Sequence, residues 1–246
     1  MDKKYAFIFA ITITLLIALN YNLFSTQLSP PREKVTISRI IDGDTLELKD
    51  KRIIRLVNIN APEKSQPNSK LATDYLKNYE NELVEIEIIG TDKYNRVLAR
   101  IYTPKYLNLE LVEKGLTSKF LVQQEELKLF AEAEKYAIES SKGIWRKSQY
   151  YNCFESSINQ KDEIATIANN CNNLNIGSWI LKDESRKLYR FNSLEIGKLT
   201  LRTKQGEDNE TDLFWNSKTD IWNNDRDTLY LFDENLQIAH YNYYGY

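Results

Sequence analysis

The segment Ile41-Asp42-Gly43-Asp44-Thr45 stands between two runs of strand-forming residues, Val35–Ile40 and Thr45–Lys49. A third run, Arg52–Ile59, follows after a two-residue turn. Clustered β-branched and apolar residues bounded by Asp and Gly are typical of strands joined by tight turns. The segment therefore predicts the beginning of a β-rich domain, with two carboxylates in its first turn.

Residues 34–147 contain two further strand patterns and three helical patterns. The strands are predicted at Val84–Ile89 and Arg96–Tyr102, and the helices at residues 71–79, 108–115 and 124–141. Asn108 is the expected N-cap of the second helix. This order of elements predicts a β-rich α+β domain, an OB-fold-type five-stranded barrel with three helices.

Four short segments in this region carry the charges that a phosphodiester site needs. Asp42 and Asp44 stand in the first turn, and Arg55 lies in the third strand run. Glu63 follows Pro62, and Arg96 ends the segment Asp92-Lys93-Tyr94-Asn95-Arg96. Carboxylate oxygens suit Ca²⁺, planar Arg suits phosphoryl oxygens, and a lone Glu can act as a general base. Together these side chains can hold a hard cation and a phosphodiester and activate a water.

The order and spacing of these motifs resemble the staphylococcal-nuclease-like (thermonuclease) family. The Asp-Gly-Asp-Thr turn, an Arg eight residues before Glu63 and the Asp-Lys-Tyr-x-Arg segment occur in family order over residues 35–96, with a matching helical tail to Trp145. The resemblance implies Ca²⁺-dependent hydrolysis of DNA and RNA with little sequence preference, leaving 3′-phosphate ends. It also implies the same barrel fold.

The resemblance assigns a role to each matching position. It implies phosphate-gripping arginines and a water-activating base at Arg55, Arg96 and Glu63, substrate contacts at Lys93 and Tyr94, and metal binding at Asp44, Asn60 and Asp42, the last just outside direct contact. Each residue also has a plainer interpretation. The arginines could be strand residues paired to Glu85 or Glu87, and the aspartates could only shape a turn.

Two departures from the family pattern bear on activity. Asn60 stands where the family usually has an aspartate that binds calcium, and the threonine that usually follows is Ala61. Losing a unit charge at contact distance is worth about 1–4 kcal/mol at a protein-like dielectric, so weaker calcium binding is expected. A base-stacking tyrosine pair is replaced by Lys119-Phe120-Leu121, and Phe120 is the expected substitute. The alternative to a nuclease is therefore a degenerate nuclease fold that binds nucleic acid or protein without cleaving it.

Residues 1–33 predict export. Lys3 and Lys4 precede an uncharged run from Tyr5 to Leu19 that continues almost to Phe24. About twenty helical residues span a bilayer core, and the lysines favour an N-terminus inside the cell. The expectation is a transmembrane helix that anchors the chain outside the cell. A cleaved signal peptide, which would make the protein secreted, is the alternative.

Residues 148–246 predict an all-β second domain. Short strand patterns alternate with Asn, Asp, Gly and Ser turns, as in an immunoglobulin-like sandwich; they fall at residues 164–167, 176–181, 187–191, 198–203, 211–215 and 228–232. Segments around Trp179, Trp215 and Trp222 resemble the lamin-tail domain. No catalytic constellation appears in this half, and its acidity argues against direct binding to the DNA backbone. A structural, adhesive or tethering role with an unknown ligand is therefore expected, and a surface adhesion protein is a third hypothesis for the whole chain.

Composition narrows the chemistry further. The single histidine, His240, is expected on a surface strand. A chain with one histidine is excluded from the enzyme classes that need paired imidazoles or a zinc site. Residues 32–147 hold 21 Lys and Arg against 19 Asp and Glu, so phosphate recognition must be local. Cys153 and Cys171 are expected to form a disulfide in an exported chain. Two free thiols, which would fit a cytoplasmic chain, are the alternative.

Overall fold

The strands of the first region close into a barrel. The computed structural model describes residues 11–14, 31–64, 66–171 and 174–246. Five strands are hydrogen-bonded in the order β1-β2-β3-β6-β5, with β3 and β6 parallel. They are β1 (Glu33–Ile40), β2 (Thr45–Leu48), β3 (Ile53–Leu56), β5 (Leu83–Thr91) and β6 (Val97–Tyr102). The predicted five-stranded barrel is confirmed.

Three helices cover this barrel, as the apolar spacing predicts. They are α1 (Ser69–Leu76), α2 (Leu107–Glu113) and α3 (Leu127–Glu139). Their apolar faces join the barrel core, in which Ile54, Leu111 and Phe130 have no exposed surface. Each such side chain contributes about 1.5–3 kcal/mol by leaving water.

Two local predictions in this region are wrong. The run Arg52–Ile59 does not form one strand, because Asn58 has a φ of 68° and separates β3 from a two-residue strand β4 (Ile59–Asn60). β4 pairs instead with β7 (Ser118–Lys119). Asn108 is no cap: it lies inside α2, buried, and its amide joins the Ile101 N–H to the Val57 carbonyl at 3.0 and 2.9 Å.

The C-terminal region is β-rich, in agreement with the sequence pattern. Two four-stranded sheets, β11-β10-β14-β15 and β13-β12-β9-β8, share one core that contains Leu181, Leu199 and Leu231. The strands are β8 (Phe154–Asn159), β9 (Ile164–Asn169), β10 (Ile180–Lys182), β11 (Leu188–Arg190), β12 (Lys198–Arg202), β13 (Asp212–Phe214), β14 (Asp227–Phe232) and β15 (Ile238–Tyr244). The strand patterns missed β8, and they indicated β15 only through the strand position expected for His240. Cys153 and Cys171 form a disulfide across the base of the β8–β9 pair.

Residues 34–246 form one compact unit, and a buried cation lies where its two halves meet. Lys119 is 1 % exposed, and its Nζ lies 3.2 Å from Glu134 Oε2 on α3 and 3.1 Å from Glu184 Oε2 after β10. Burial works against the charge of Lys119, but the two carboxylates outweigh it and raise its pKa. Trp145 stacks on Tyr230 beside this group, with ring centroids 5.2 Å apart.

The membrane helix predicted near the N-terminus lies largely outside the described residues. Positions 11–14 are helical. Within the described part of the chain, no helix has the length and apolar character needed to cross a bilayer.

Replacing Lys119 should destabilise the fold strongly. Lys119→Met removes the cation and leaves Glu134 and Glu184 buried, which typically costs about 3–5 kcal/mol. Urea unfolding measures the change, and Lys128→Met on the exposed face of α3, where Lys128 is 88 % exposed, is the control. A loss below about 1 kcal/mol in Lys119→Met would contradict the structural role given to this cation.

His240 predicts a pH dependence of stability. It lies on β15, half-buried, with Nε2 2.9 Å from Ser156 Oγ, and burial lowers its pKa from 6.5 to about 4. As pH falls, His240 of the unfolded chain takes up a proton before His240 of the folded chain does. The stability that the folded state gains from neutral His240 is therefore complete above about pH 6.5 and is lost as pH falls towards 4. The loss is at most about 3 kcal/mol. Urea unfolding of the wild type and His240→Gln at pH 7 and 4.5 should show a smaller pH effect in the variant; equal pH effects would refute the assignment.

Candidate active site

Asp44 is the most deeply buried carboxylate of the predicted site. The β1–β2 turn is closed by the Asp44 N–H, which donates to Asp42 Oδ1 at 3.1 Å. Asp44 Oδ2 accepts the Ala61 N–H at 2.9 Å and lies 3.1 Å from Arg55 Nη2. Burial raises the pKa of Asp44, while the Arg55 guanidinium and the Ala61 N–H oppose that shift. These contacts fix the carboxylate against β3 and the start of the next loop.

Arg55 is turned towards the protein rather than towards solvent. Its guanidinium donates to the Leu56 and Ile59 carbonyls, the latter at 2.9 Å, and its side chain is only 10 % exposed. Arg55 pairs with Asp44, whereas Glu87 pairs with Arg100. Arg55 therefore holds Asp44 and the loop after β3 in place.

Arg96 is held at the end of the β5–β6 turn. Asp92 Oδ1 accepts the N–H groups of Tyr94 and Arg96 at 2.9 and 3.0 Å, and Asp92 Oδ2 accepts Arg96 Nε at 2.8 Å. Tyr94 is 67 % exposed, with Lys93 Nζ and Arg96 Cζ 5.1 and 5.6 Å from its ring centroid. The turn thus presents a cation, an aromatic ring and a second cation on one surface.

Sequence reasoning missed Arg186. This residue lies in the turn between β10 and β11, more than 120 positions after Asn60, yet its guanidinium enters the same site. Arg186 Nε donates to Asn60 Oδ1 at 2.6 Å, Nη1 donates to Glu63 Oε1, and Nη2 lies 3.6 Å from Asp44 Oδ2. The local sequence Asp-Glu-Ser-Arg-Lys is typical of a polar turn, so no signal in it indicated this contact.

These side chains surround one cleft of about 1240 Å³. All the residues predicted for the site line it except Asn60, which lies beneath it and is buried. Phe120 and Leu121 line the same cleft, Leu121 with 62 % of its surface exposed. The charged residues described at its walls are Asp42, Asp44, Glu63, Asp92, Arg55, Lys64, Lys93, Arg96 and Arg186.

A divalent cation does not fit these donors as they lie. The Asn60 amide oxygen already accepts from Arg186, and Asp44 Oδ2 faces two guanidiniums. A cation bound to both oxygens would lie beside Arg186. A divalent cation about 4 Å from a guanidinium is repelled by about 8 kcal/mol at an effective dielectric of about 20. Among the described residues, no three His, Cys, Asp or Glu side chains converge as a metal site would require.

Comparison with known proteins identifies the barrel region. Residues 53–147 match the family described as staphylococcal nuclease homologue. This segment contains Arg55, Asn60, Glu63 and Arg96 and begins after Asp42 and Asp44. It is a staphylococcal-nuclease-like domain, and the closed barrel with its helices agrees with that assignment.

Two curated relatives carry the same name. An uncharacterized endonuclease of Escherichia coli and another of Escherichia coli O157:H7 are each 39 % identical to this chain over 77 residues. The aligned part is 30 % of this chain and 50 % of each relative. The chain thus spans about half the length of the curated relatives it matches.

Gly43 generates a prediction about the turn that holds Asp44. A Cβ built on Gly43 would lie 2.6 Å from Ala61 Cβ and 2.8 Å from Ala72 Cβ, closer than side chains can approach. Gly43→Ala should therefore move the turn and lower the free energy of unfolding by about 1–3 kcal/mol. Gly90→Ala on β5, where a Cβ meets nothing within 4 Å, is the control in the same urea titration. Equal stability of the two variants would refute the packing argument.

Proposed function

We propose that this protein is a nuclease that hydrolyses phosphodiester bonds of DNA and RNA with low sequence specificity. The observation that carries the proposal is the single cleft that combines the carboxylate of Glu63 with the guanidinium of Arg96 and an exposed Tyr94. The barrel family and the printed names of the two relatives support the same reaction class.

The residues divide the chemistry between them. Glu63, with its side chain 53 % exposed, takes a proton from a water that attacks phosphorus. The new P–O bond forms as the P–O5′ bond breaks, leaving a 3′-phosphate, and the leaving 5′ oxygen takes up a proton from solvent water. Arg96 offers guanidinium donors to the non-bridging oxygens, where negative charge rises in the transition state.

Substrate binding on this cleft is expected to depend on stacking and charge rather than on base identity. Tyr94 and Phe120 provide aromatic faces, and every base has a π-face that can stack on them. Lys93 beside Tyr94 suits a neighbouring phosphate. Such contacts do not read hydrogen-bond patterns of bases, which supports low sequence specificity.

The resemblance implies calcium dependence, but the contacts of Asp44 and Asn60 do not favour it. Asp44 and Asn60 offer oxygen donors of the type that Ca²⁺ prefers, but their present partners are guanidiniums. The steps proposed for Glu63 and Arg96 do not depend on a metal ion. Assays with Ca²⁺, Mg²⁺, Mn²⁺ or EDTA test the dependence directly.

We also propose that the protein works outside the cytoplasm, anchored by its N-terminal segment. The charge and apolar run of residues 3–24 support this location. The disulfide between Cys153 and Cys171 supports it as well, since such bonds persist in oxidising compartments. Secretion after cleavage of the segment is the alternative.

The C-terminal region, residues 148–246, is proposed as a lamin-tail-like module with an immunoglobulin-like sandwich. Two four-stranded sheets with a shared core support that proposal. Trp179 and Trp222 are each 1 % exposed and belong to that core, so they are not available as a ligand surface.

Glu63→Gln tests the nuclease proposal. With the base removed, cleavage of a fluorescent single-stranded oligonucleotide by the full chain should fall by about 10²–10⁴-fold in kcat. The assay is run with Ca²⁺, Mg²⁺, Mn²⁺ and EDTA, so that no assumption about the cation is built in. Glu132→Gln on α3, where the side chain is 65 % exposed and outside the cleft, should retain full activity.

Two results would count against the proposal. Cleavage that is equal in Glu63→Gln and the wild type would remove Glu63 from the reaction. Binding of the oligonucleotide without cleavage under any of the four conditions would favour the alternative, a module on the cell surface that binds nucleic acid or protein.

A further inference from the structure

The cleft is completed by a residue from outside the barrel. Arg186 belongs to the C-terminal β-rich region, and its guanidinium contacts Asn60 and Glu63 of the barrel loop that follows β3. Its position beside Asp44 Oδ2, at 3.6 Å, is where the resemblance would set a divalent cation. A side chain of this chain therefore brings fixed positive charge to that point.

The turn that carries Arg186 is firmly held. Asp183 Oδ1 accepts the Lys187 N–H at 2.6 Å, and the Glu184 N–H donates to Asp227 Oδ1 at 3.1 Å. The Glu184 carboxylate is bound to Lys119, the buried cation between the two halves. A guanidinium on such a support is preorganised and does not have to be recruited from solvent.

The backbone at Arg186 has a positive φ, a conformation that suits glycine. Its φ is 81°, in the left-handed region that favours Gly or Asn over other residues. Local strain of this kind persists where the surrounding structure requires the residue. The guanidinium contacts in the cleft are a reason for Arg at a position whose backbone suits Gly.

Exposure separates the three arginines of the cleft. The side chain of Arg55 is 10 % exposed and engaged with carbonyl groups, whereas those of Arg96 and Arg186 are 32 % and 35 % exposed. The latter two are the guanidiniums that a phosphate entering the cleft can reach.

Charge at the cleft favours the same conclusion. The described residues that line it include four carboxylates and five cationic side chains, so the net charge is +1 with Arg186 and zero without it. Arg186 therefore gives the cleft the positive balance that an anionic phosphodiester needs. A divalent cation added to the same place would stand against this guanidinium.

We propose that Arg186 is a catalytic residue, whose guanidinium contacts the scissile phosphodiester and supplies the positive charge there without a divalent cation. This inference rests on the proposed nuclease function. When substrate enters, the non-bridging oxygens replace Glu63 as the partner of Arg186. Glu63 is then released to accept the proton of the attacking water, and the P–O5′ bond breaks as in the metal-free steps above.

The test uses the full chain in EDTA with a 5′-fluorescein single-stranded oligonucleotide. The wild type should cleave it, and Arg186→Gln should lower kcat by about 10²–10³-fold, the usual effect of removing one preorganised donor. Arg186→Lys keeps the charge but not the fork and should retain intermediate activity. Arg190→Gln, on β11 of the same hairpin and outside the cleft, should be unaffected.

A second variant protects the test against misfolding. Arg186→Gly removes the guanidinium and suits the positive φ, so it should lose activity to the same extent while its midpoint of thermal unfolding does not fall. Loss of activity together with a lowered midpoint in both variants would overturn a catalytic role, because the effect would then be structural.

Oligonucleotide binding supplies a readout that does not depend on turnover. One phosphate contact to a single strand contributes about 0.7 to the slope of log affinity against log salt. Fluorescence anisotropy in EDTA, with Glu63→Gln present in every chain so that the oligonucleotide stays intact, should show that slope reduced by about 0.7 when Arg186→Gln is added and unchanged when Arg190→Gln is added. An unchanged slope in Arg186→Gln would overturn the contact.

The remaining outcomes distinguish this inference from the proposed function. Cleavage that requires Ca²⁺, and that is equal or faster in Arg186→Gln, would overturn the inference and leave the proposed nuclease function standing. Arg186 would then be a side chain that blocks the cation site. Calcium binding measured by calorimetry would then be tighter in Arg186→Gln than in the wild type. Absence of cleavage in every cation and in EDTA would reject the nuclease function and the catalytic role together.

Discussion

The geometry of the molecule depends on the buried ammonium group of Lys119. This group lies between carboxylates from two parts of the chain. Glu134 belongs to the helix that covers the barrel, and Glu184 belongs to the first turn of the following sheet. A buried charge tolerates little displacement, because each partner that moves away leaves an unpaired ion in a medium of low dielectric. The position of the β10–β11 turn relative to the barrel is therefore set by electrostatics as well as by apolar packing.

This constraint explains how a cleft can draw its parts from segments far apart. Asp44 and Glu63 come with the barrel, while Arg186 comes with a turn that Glu184 ties to Lys119. The fixed position of Arg186 also explains why a neutral residue, Asn60, is suitable at its position. Its amide oxygen accepts hydrogen bonds from a guanidinium, an arrangement that does not need the second carboxylate of the family pattern.

Short sequence patterns predict those parts of the structure that neighbouring residues determine. The barrel strands, the three helices and the turns around Asp42 and Asp92 follow from short patterns, so the sequence was sufficient for them. The roles of Asn58 and Asn108 depend on tertiary structure and are not visible in local sequence. Asn58 interrupts a strand run with a positive φ, and Asn108 bonds to the backbone of Ile101 on β6 and of Val57 just after β3. Arg186 was missed for the same reason, since its partners lie more than 120 residues earlier and a polar turn has no mark of what it contacts.

A side chain of the C-terminal region completes the cleft of the barrel. This has a consequence for how the two regions evolve. Modules joined only by a linker can be exchanged between proteins, because neither relies on the other's surface. Here an exchanged module would have to bring a guanidinium at the same turn and a carboxylate for Lys119, or the barrel would be left with a different chemistry. The two halves are thus bound to change together, and recombination at their junction would be selected against.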